Sequence, residues 1–327
     1  MNMIRDEDSF HKTELLHIHK NTRKLAVCNF RVWLQATRPW SFTVSVVPPV
    51  LGSVIALTEN SGLLFNWLNF FLTLTGCVAA HAAANAFSDY FDYKKGVDRP
   101  GIYGSSGVLV ENLLTPKQLL LVPAFGFSIA AAAGIYLMTT LSNGTSLLWL
   151  VLSGAFLGFF YTTPPFVIKY HALSEIAVFL AFGPLMTLGA YFTQAGAYSW
   201  KPFFYSFPMA LLVAAIVLSN NLRDIKTDSV TDIKTLAIIF KDTGAKKIYY
   251  FLLAGAYAIT LLLVILAGLT WIALITFLSL PLAIKLKKTV RNKEAAGEKD
   301  FASIDAMTAR LHSAFSLLFI IALASQL

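Results

Sequence analysis

Long apolar runs alternate with short polar connections along almost the whole chain. Runs of the roughly 20 residues needed to cross a bilayer as a helix recur at 42–58, 66–88, 118–140, 145–162, 172–193, 202–219, 248–268, 270–286 and 306–326. The pattern predicts an all-α polytopic membrane protein with nine transmembrane helices. Very little chain joins the seventh and eighth runs around Gly268; were they one re-entrant element, the C-terminus would change sides. Residues 1–37 mix acids with Lys12, Lys20, Arg23, Lys24 and Arg31 and lack the apolar core of a signal peptide. They are expected to form a cytoplasmic N-terminal arm ahead of a single transmembrane domain, 38–327. The longest polar connections, 89–116, 220–246 and 287–305, are expected as cap loops on one face.

Charge sharpens this picture. Hydrophobic residues make up 56% and charged residues 13%, against about a quarter charged in ordinary soluble domains, which excludes a soluble protein. With the N-terminus placed in the cytoplasm, the nine runs leave every Lys and Arg on that side except Lys201, and the opposite loops carry only Lys201 and Glu59. The expectation is a multi-pass protein of the cell membrane with its active loops cytoplasmic. A net charge of +8, concentrated on one face, favours anionic substrates and the headgroups of membrane lipids. The basic residues are scattered between spans rather than gathered into a domain, so no nucleic acid partner is expected. Cys28 and Cys77 lie in different environments and indicate no disulfide.

Two stretches carry chemistry. The second run ends in Asn85-Ala-Phe-Ser-Asp89-Tyr-Phe-Asp92-Tyr-Lys-Lys-Gly96-Val-Asp98, and the sixth ends in Asn220-Asn221-Leu-Arg223-Asp224 through Asp228 to Asp232. Acids next to hydrocarbon are costly and normally face a polar cavity. At helical spacing His81, Asn85, Ser88, Asp89 and Asp92 share one face, and Asp224 and Asp228 stand one turn apart. Oxygen-rich sets of Asp and Asn suit hard divalent ions, and Mg2+ prefers a couple of carboxylates together with water and phosphate. A metal-bridged diphosphate is the natural guest. Lys94, Lys95 and Arg99 follow the first set, Arg223 and Lys226 lie in the second, and Lys169 sits between the fourth and fifth runs, all available to phosphate oxygens. A diphosphate at the water boundary on something that prefers lipid points to a prenyl diphosphate. Tyr93 and Tyr161 are candidate aromatic faces for an allylic cation.

These residues resemble the UbiA superfamily of intramembrane prenyltransferases, especially the branch acting on 1,4-dihydroxy-2-naphthoate in menaquinone biosynthesis. The resemblance runs from Trp33 onward. It includes Trp33-Leu-Gln-Ala-Thr-Arg38-Pro39, both acid motifs, Tyr161-Thr-Thr-Pro164-Pro165 through Lys169 to Glu175, and Phe182-Gly183-Pro184. It implies nine helices around a central cavity and transfer of a polyprenyl group from its diphosphate to an aromatic or quinone-precursor acceptor. Carried over, Asn85, Asp89, Asp92 and Asp98 form the first metal set and Asp224 and Asp228 the second, with Asp89, Asp92, Asp224 and Asp228 catalytic. Asn85, Asn221, Arg223, Lys94, Lys169 and Tyr161 are then the residues expected on substrate. Two positions depart from the family pattern: Ser88 stands where Asn is common, and Asp232 where Gly is common in this branch.

Competing readings remain at this point. An ion-coupled transporter would also use intramembrane acids, although such sites usually lie near the bilayer midplane. A non-catalytic member that binds prenyl lipids is a third. His81 reads more readily as a packing residue, Lys169 and Glu175 as cavity entrance groups, and Gly101–Gly107 as either a phosphate loop or a plain connector.

Overall fold

The computed structural model describes residues 29–101, 103–231, 233–293 and 301–327. Most of the predicted N-terminal arm, and Asp232, lie outside the described residues. A short helix α1, Phe30–Ala36, precedes α2 (Pro39–Glu59), α3 (Trp67–Lys94), α4 (Pro116–Thr140), α5 (Gly144–Phe160), α6 (Ser174–Ala195), α7 (Trp200–Asp228) and α8 (Lys241–Leu266). A 3₁₀ segment, Trp271–Ser279, then leads into α9 (Leu280–Arg291), and α10 (Ile304–Ala324) ends the chain. Among the described residues there is no strand, only an isolated bridge between His171 and Lys234.

Seven of these helices, α2, α3, α4, α6, α7, α8 and α10, are long and apolar enough to cross a bilayer. The two remaining runs fall short for different reasons. The fourth forms only the shorter apolar helix Gly144–Phe160, because the Tyr161-Thr-Thr-Pro-Pro stretch stops it. The eighth is broken, its first half being 3₁₀ and its second, α9, carrying Lys285, Lys287, Lys288 and Arg291. Two cap loops also begin later than the charge pattern suggests: α3 stays helical to Lys94 and α7 to Asp228, so Asp89, Asp92, Asp224 and Asp228 sit on helix ends and Asp98 in the connection that follows α3.

The bundle is organised around α7, two thirds of whose span is buried, packed on α6, α8 and α10. On the other side α3 lies along α4, and α2 along α6. In lipid the apolar solvent drives none of this association, so close backbone approach has to. A methyl group added at Gly52 of α2 would lie 2.3 Å from the Thr187 carbonyl oxygen of α6, and one at Gly126 of α4 would lie 2.7 Å from that of Ala79 in α3. Gly52→Leu is therefore expected to destabilise the fold by about 3 kcal/mol, as overpacking does. A thermal melt in detergent that showed no loss would contradict this packing. Within α6, Pro184 cannot donate to the helix, and a π turn over Ala181–Leu185 absorbs the defect. That turn presents Phe182 to His81, ring centroids 4.8 Å apart.

The ends of the bundle differ in chemistry. Lys201 and Glu59, the two charges expected on the far side, pair at 3.2 Å near the start of α7. The acids stand at its other end, about 40 Å away for 29 residues at helical rise. Around them the connections tie to one another: the Lys234 amide donates to the Tyr170 carbonyl, while Val97, Val167, Tyr170 and Ile233 form one small apolar cluster. Both acid motifs are thereby fastened to the loop that carries Lys169.

Candidate active site

A cavity of about 1710 Å³ opens among these helices, and Asp92, Asp98, Asp224 and Asp228 all line it. The acid ends of α3 and α7, more than a hundred residues apart in sequence, thus face one chamber. Its deeper walls are apolar, with Gly134, Leu137, Leu147, Leu150 and Gly189 contributing.

The acids are not equivalent. Asp92 is buried and held three ways: Lys169 Nζ donates to it at 2.5 Å, Ser88 Oγ donates at 3.1 Å, and the Tyr170 hydroxyl donates as well. Asp89, also buried, stands behind the cavity wall, paired with Arg38 and accepting from the Ser106 amide at 3.0 Å. Asp224 takes a two-pronged contact from Arg223, at 2.8 Å on each oxygen. The carboxylates of Asp98 and Asp228 have no hydrogen bond or ion pair among the described residues. Asn220 also belongs to the wall, and its Oδ1 is buried without a hydrogen-bond partner among the described residues.

Electrostatics outside the spans follow from this crowding. Burial raises the Asp98 carboxyl to about 6, and Asp92 and Asp224 push the same way against Arg38 and Lys169. Burial opposes the charge on Lys169, yet Asp92, Tyr161 and Asp98 together hold its pKa above the ordinary lysine value. Burial and then Asp92 keep the Tyr170 phenol protonated well past its usual range, so it remains a donor to that carboxylate.

Several predicted groups are brought to the chamber. Asn85, Ser88, Tyr161, Lys169, Asn221 and Arg223 line it together with the acids. Asn85 donates to the Thr37 carbonyl and Ser41 Oγ, fixing the start of α2 against α3. Asn221 donates to Glu175 Oε1 at 2.8 Å, while the other Glu175 oxygen is buried without a hydrogen-bond partner among the described residues. His81 lies 3.1 Å from Ser45 Oγ and packs against Phe42 and Phe182, the environment of a packing residue. The Gly101–Gly107 stretch is more than a connector. Its Ser106 amide reaches Asp89, and the Tyr103 ring lies 5.6 Å from the Arg223 guanidinium carbon, so the loop bridges the two motifs.

Two placements depart from expectation. Lys94 is exposed and sits over the Tyr90 ring at 4.7 Å, outside the chamber wall. Two residues past Asp92 is about 200° around a helix, which turns it away. Tyr93 is likewise exposed and outside the wall. Arg223 does reach the wall, but most of its donors are taken: besides Asp224, it bonds Asp305 at 2.9 Å and the Ala302 carbonyl. It clamps the start of α10 to the second motif. Arg38, Tyr170, Asp305 and Arg310 were not predicted as site residues. Arg38 stood in plain view before Pro39, but nothing local signals a partner 51 residues away.

The donor set can be tested against a divalent ion. Among the described residues, no three His, Cys, Asp or Glu side chains are grouped to hold an ion by themselves. Of the four acid-motif carboxylates that line the chamber, two have no partner among the described residues, and the buried Asn220 Oδ1 is orphaned beside them, all hard ligands. That is the partial set Mg2+ takes when water and phosphate complete its shell.

The model of the UbiA prenyltransferase family matches residues 46–314. A UbiA prenyltransferase domain-containing protein 1 homolog of Drosophila melanogaster is 32% identical over 293 residues, 89% of this chain and 79% of its own. A 1,4-dihydroxy-2-naphthoate octaprenyltransferase of Bacillus subtilis is 33% identical over 254 residues, 78% of this chain and 80% of its own. A UbiA homolog from Archaeoglobus fulgidus, solved bound to GPP and Mg2+, superposes with a TM-score of 0.59 at 16% identity, covering 88% of this chain and 99% of that one.

Proposed function

Since the chain belongs to the UbiA prenyltransferase family, we propose that it transfers a polyprenyl group from a prenyl diphosphate to an aromatic or quinone-precursor acceptor, releasing diphosphate. The acceptor in the name of the bacterial relative, 1,4-dihydroxy-2-naphthoate, is our choice here, and menaquinone biosynthesis is the setting it fits. The observation that carries this reading is the shared chamber: the acid ends of α3 and α7 meet at its polar mouth, and its depth is apolar. A carrier using the same acids for ion coupling would want them on broken helices near the membrane middle. Here they sit at helix ends.

In this reading Asp98 and Asp228 would hold Mg2+ with the diphosphate, Asn220 standing beside them, and Asp92, Asp89 and Asp224 belong to the same acid set, each steadied by its cation. Magnesium bound there would offset the charge of the leaving diphosphate. Lys169 is the natural donor to a diphosphate oxygen, because its ammonium already stands at the chamber wall beside Asp92. Departure of diphosphate breaks the allylic C–O bond, and Tyr161 lies where an aromatic face can meet the cation. The acceptor ring forms the new C–C bond, then releases what that carbon carried, a proton or CO2. Tyr170 and Ser88 act one step back, fixing Asp92 against Lys169.

The bundle is further proposed to count nine membrane segments, α5 and the broken Trp271–Arg291 stretch being the two irregular ones, with the acid face cytoplasmic and the membrane the cell membrane. The experiment follows from the metal requirement. Membranes containing the protein should release diphosphate from a prenyl diphosphate only when acceptor and Mg2+ are both present. Chelation should remove nearly all activity and added Mg2+ should restore it. Undiminished transfer in chelated membranes would overturn the reading; tight prenyl diphosphate binding without turnover would favour a non-catalytic member.

A further inference from the structure

Four cationic side chains line the chamber: Arg38, Lys169, Arg223 and Arg310. Three are already engaged, with Asp89, with Asp92, and with Asp224 and Asp305. Arg310 has no ion pair or hydrogen bond to any described residue. It also stands within the apolar span of α10, Ile304–Ala324, where a guanidinium facing lipid is costly. Its neighbours on one helical stripe, Ala306, Ser313 and Leu317, line the chamber with it. They are too small or too apolar to satisfy it.

We infer that Arg310 is a specificity residue that binds the carboxylate of an aromatic acid acceptor; the inference rests on the transferase reading above. Depth decides between the anions a prenyltransferase holds. Asp305 marks the level of the second acid motif, because Arg223 ties it to Asp224. Arg310 lies five residues further along the helix, about 7.5 Å deeper at helical rise. The diphosphate belongs at the acids with the metal. An acceptor ring must reach past them to the allylic carbon, and a planar guanidinium there matches a ring carboxylate in two-pronged fashion.

The test compares 1,4-dihydroxy-2-naphthoate with 1,4-dihydroxynaphthalene, the same ring without the carboxylate, in wild type and Arg310→Gln. Loss of a charge-assisted contact predicts a roughly 10- to 100-fold rise in KM for the naphthoate. KM for the diol and for the prenyl diphosphate should stay within about 2-fold, and Arg310→Lys should recover part of the loss. An equal penalty on both acceptors, or a rise confined to the prenyl diphosphate, overturns the inference. So does a variant whose only change is lost dependence on phosphatidylglycerol in reconstituted vesicles, which would make Arg310 a headgroup contact. If the wild type prenylates neither acceptor, the parent reading has failed separately. Direct binding of both labelled rings to wild type and Arg310→Gln then still decides the matter, since only loss of preference for the carboxylate supports it. A detergent melt of each variant separates these outcomes from misfolding.

Discussion

Asp228→Ala is expected to lower turnover on the order of 10³-fold, the scale on which a removed transition-state stabiliser is felt, while leaving the melting temperature close to that of the wild type. The asymmetry comes from what the carboxylate touches. Asp228 lines the chamber without a partner among the described residues, so its removal strands no buried donor. What disappears is one hard oxygen facing the diphosphate. Asp92→Ala should inactivate the protein too, but by a mixed route: Lys169, Ser88 and Tyr170 all donate to Asp92. Losing the carboxylate strands the buried Tyr170 hydroxyl and leaves the half-buried Lys169 without its counter-ion, which is destabilising. The two variants therefore separate chemistry from architecture. Turnover by purified, folded Asp228→Ala within a few-fold of wild type would remove this carboxylate from the mechanism.

This contrast also marks where the sequence was legible. Each acid motif begins where an apolar run stops, so both the existence of α3 and α7 and the polarity of their ends could be read from hydropathy. Their convergence agrees with the charge bias, because both helices run in the same sense. Partners could not be read in the same way. The Arg38–Asp89 pair spans 51 residues and depends on a left-handed turn at Arg38 just before Pro39. The clamp from Arg223 to Asp305 spans 82. Contacts set by tertiary packing leave no local period.

Helix phase explains the error at Lys94. Proximity along the chain made it an attractive phosphate ligand, but Asp92 and Lys94 face nearly opposite directions on α3. Counting spans by composition says nothing of backbone form, for a related reason. Apolar residues at 145–162 and 270–286 satisfy a hydropathy window whether or not the backbone stays α-helical, and here Tyr161-Thr-Thr-Pro-Pro and the Trp271–Ser279 3₁₀ segment interrupt it. Small residues were the least legible of all. Gly52 and Gly189 look alike in sequence, yet one is pressed against a neighbouring backbone and the other borders open space.

Gly189 gives the second large effect. It lines the chamber on α6, and a methyl added there would meet only Leu150 Cδ1, at 3.9 Å, an ordinary contact. Ser174, whose hydroxyl donates to the Lys169 carbonyl, marks the mouth on the same helix, so Gly189 lies about 22 Å deeper, 15 residues at helical rise. Gly189→Phe should thus obstruct the far end without touching the acids. Donors too short to reach that depth should react within about 2-fold of wild type, while long polyprenyl donors should lose roughly 100-fold or more in kcat/KM, the scale on which misplacement of the reacting atoms is felt. The loss is steric. A long donor comes from a bilayer as apolar as the chamber, so burying its tail gains little that lipid did not already provide, and an obstructed tail must either coil or hold the diphosphate away from Lys169. A graded series of labelled donors, with products identified by mass, reads this directly. A uniform penalty across all lengths would mean that the prenyl chain does not run along α6 at all.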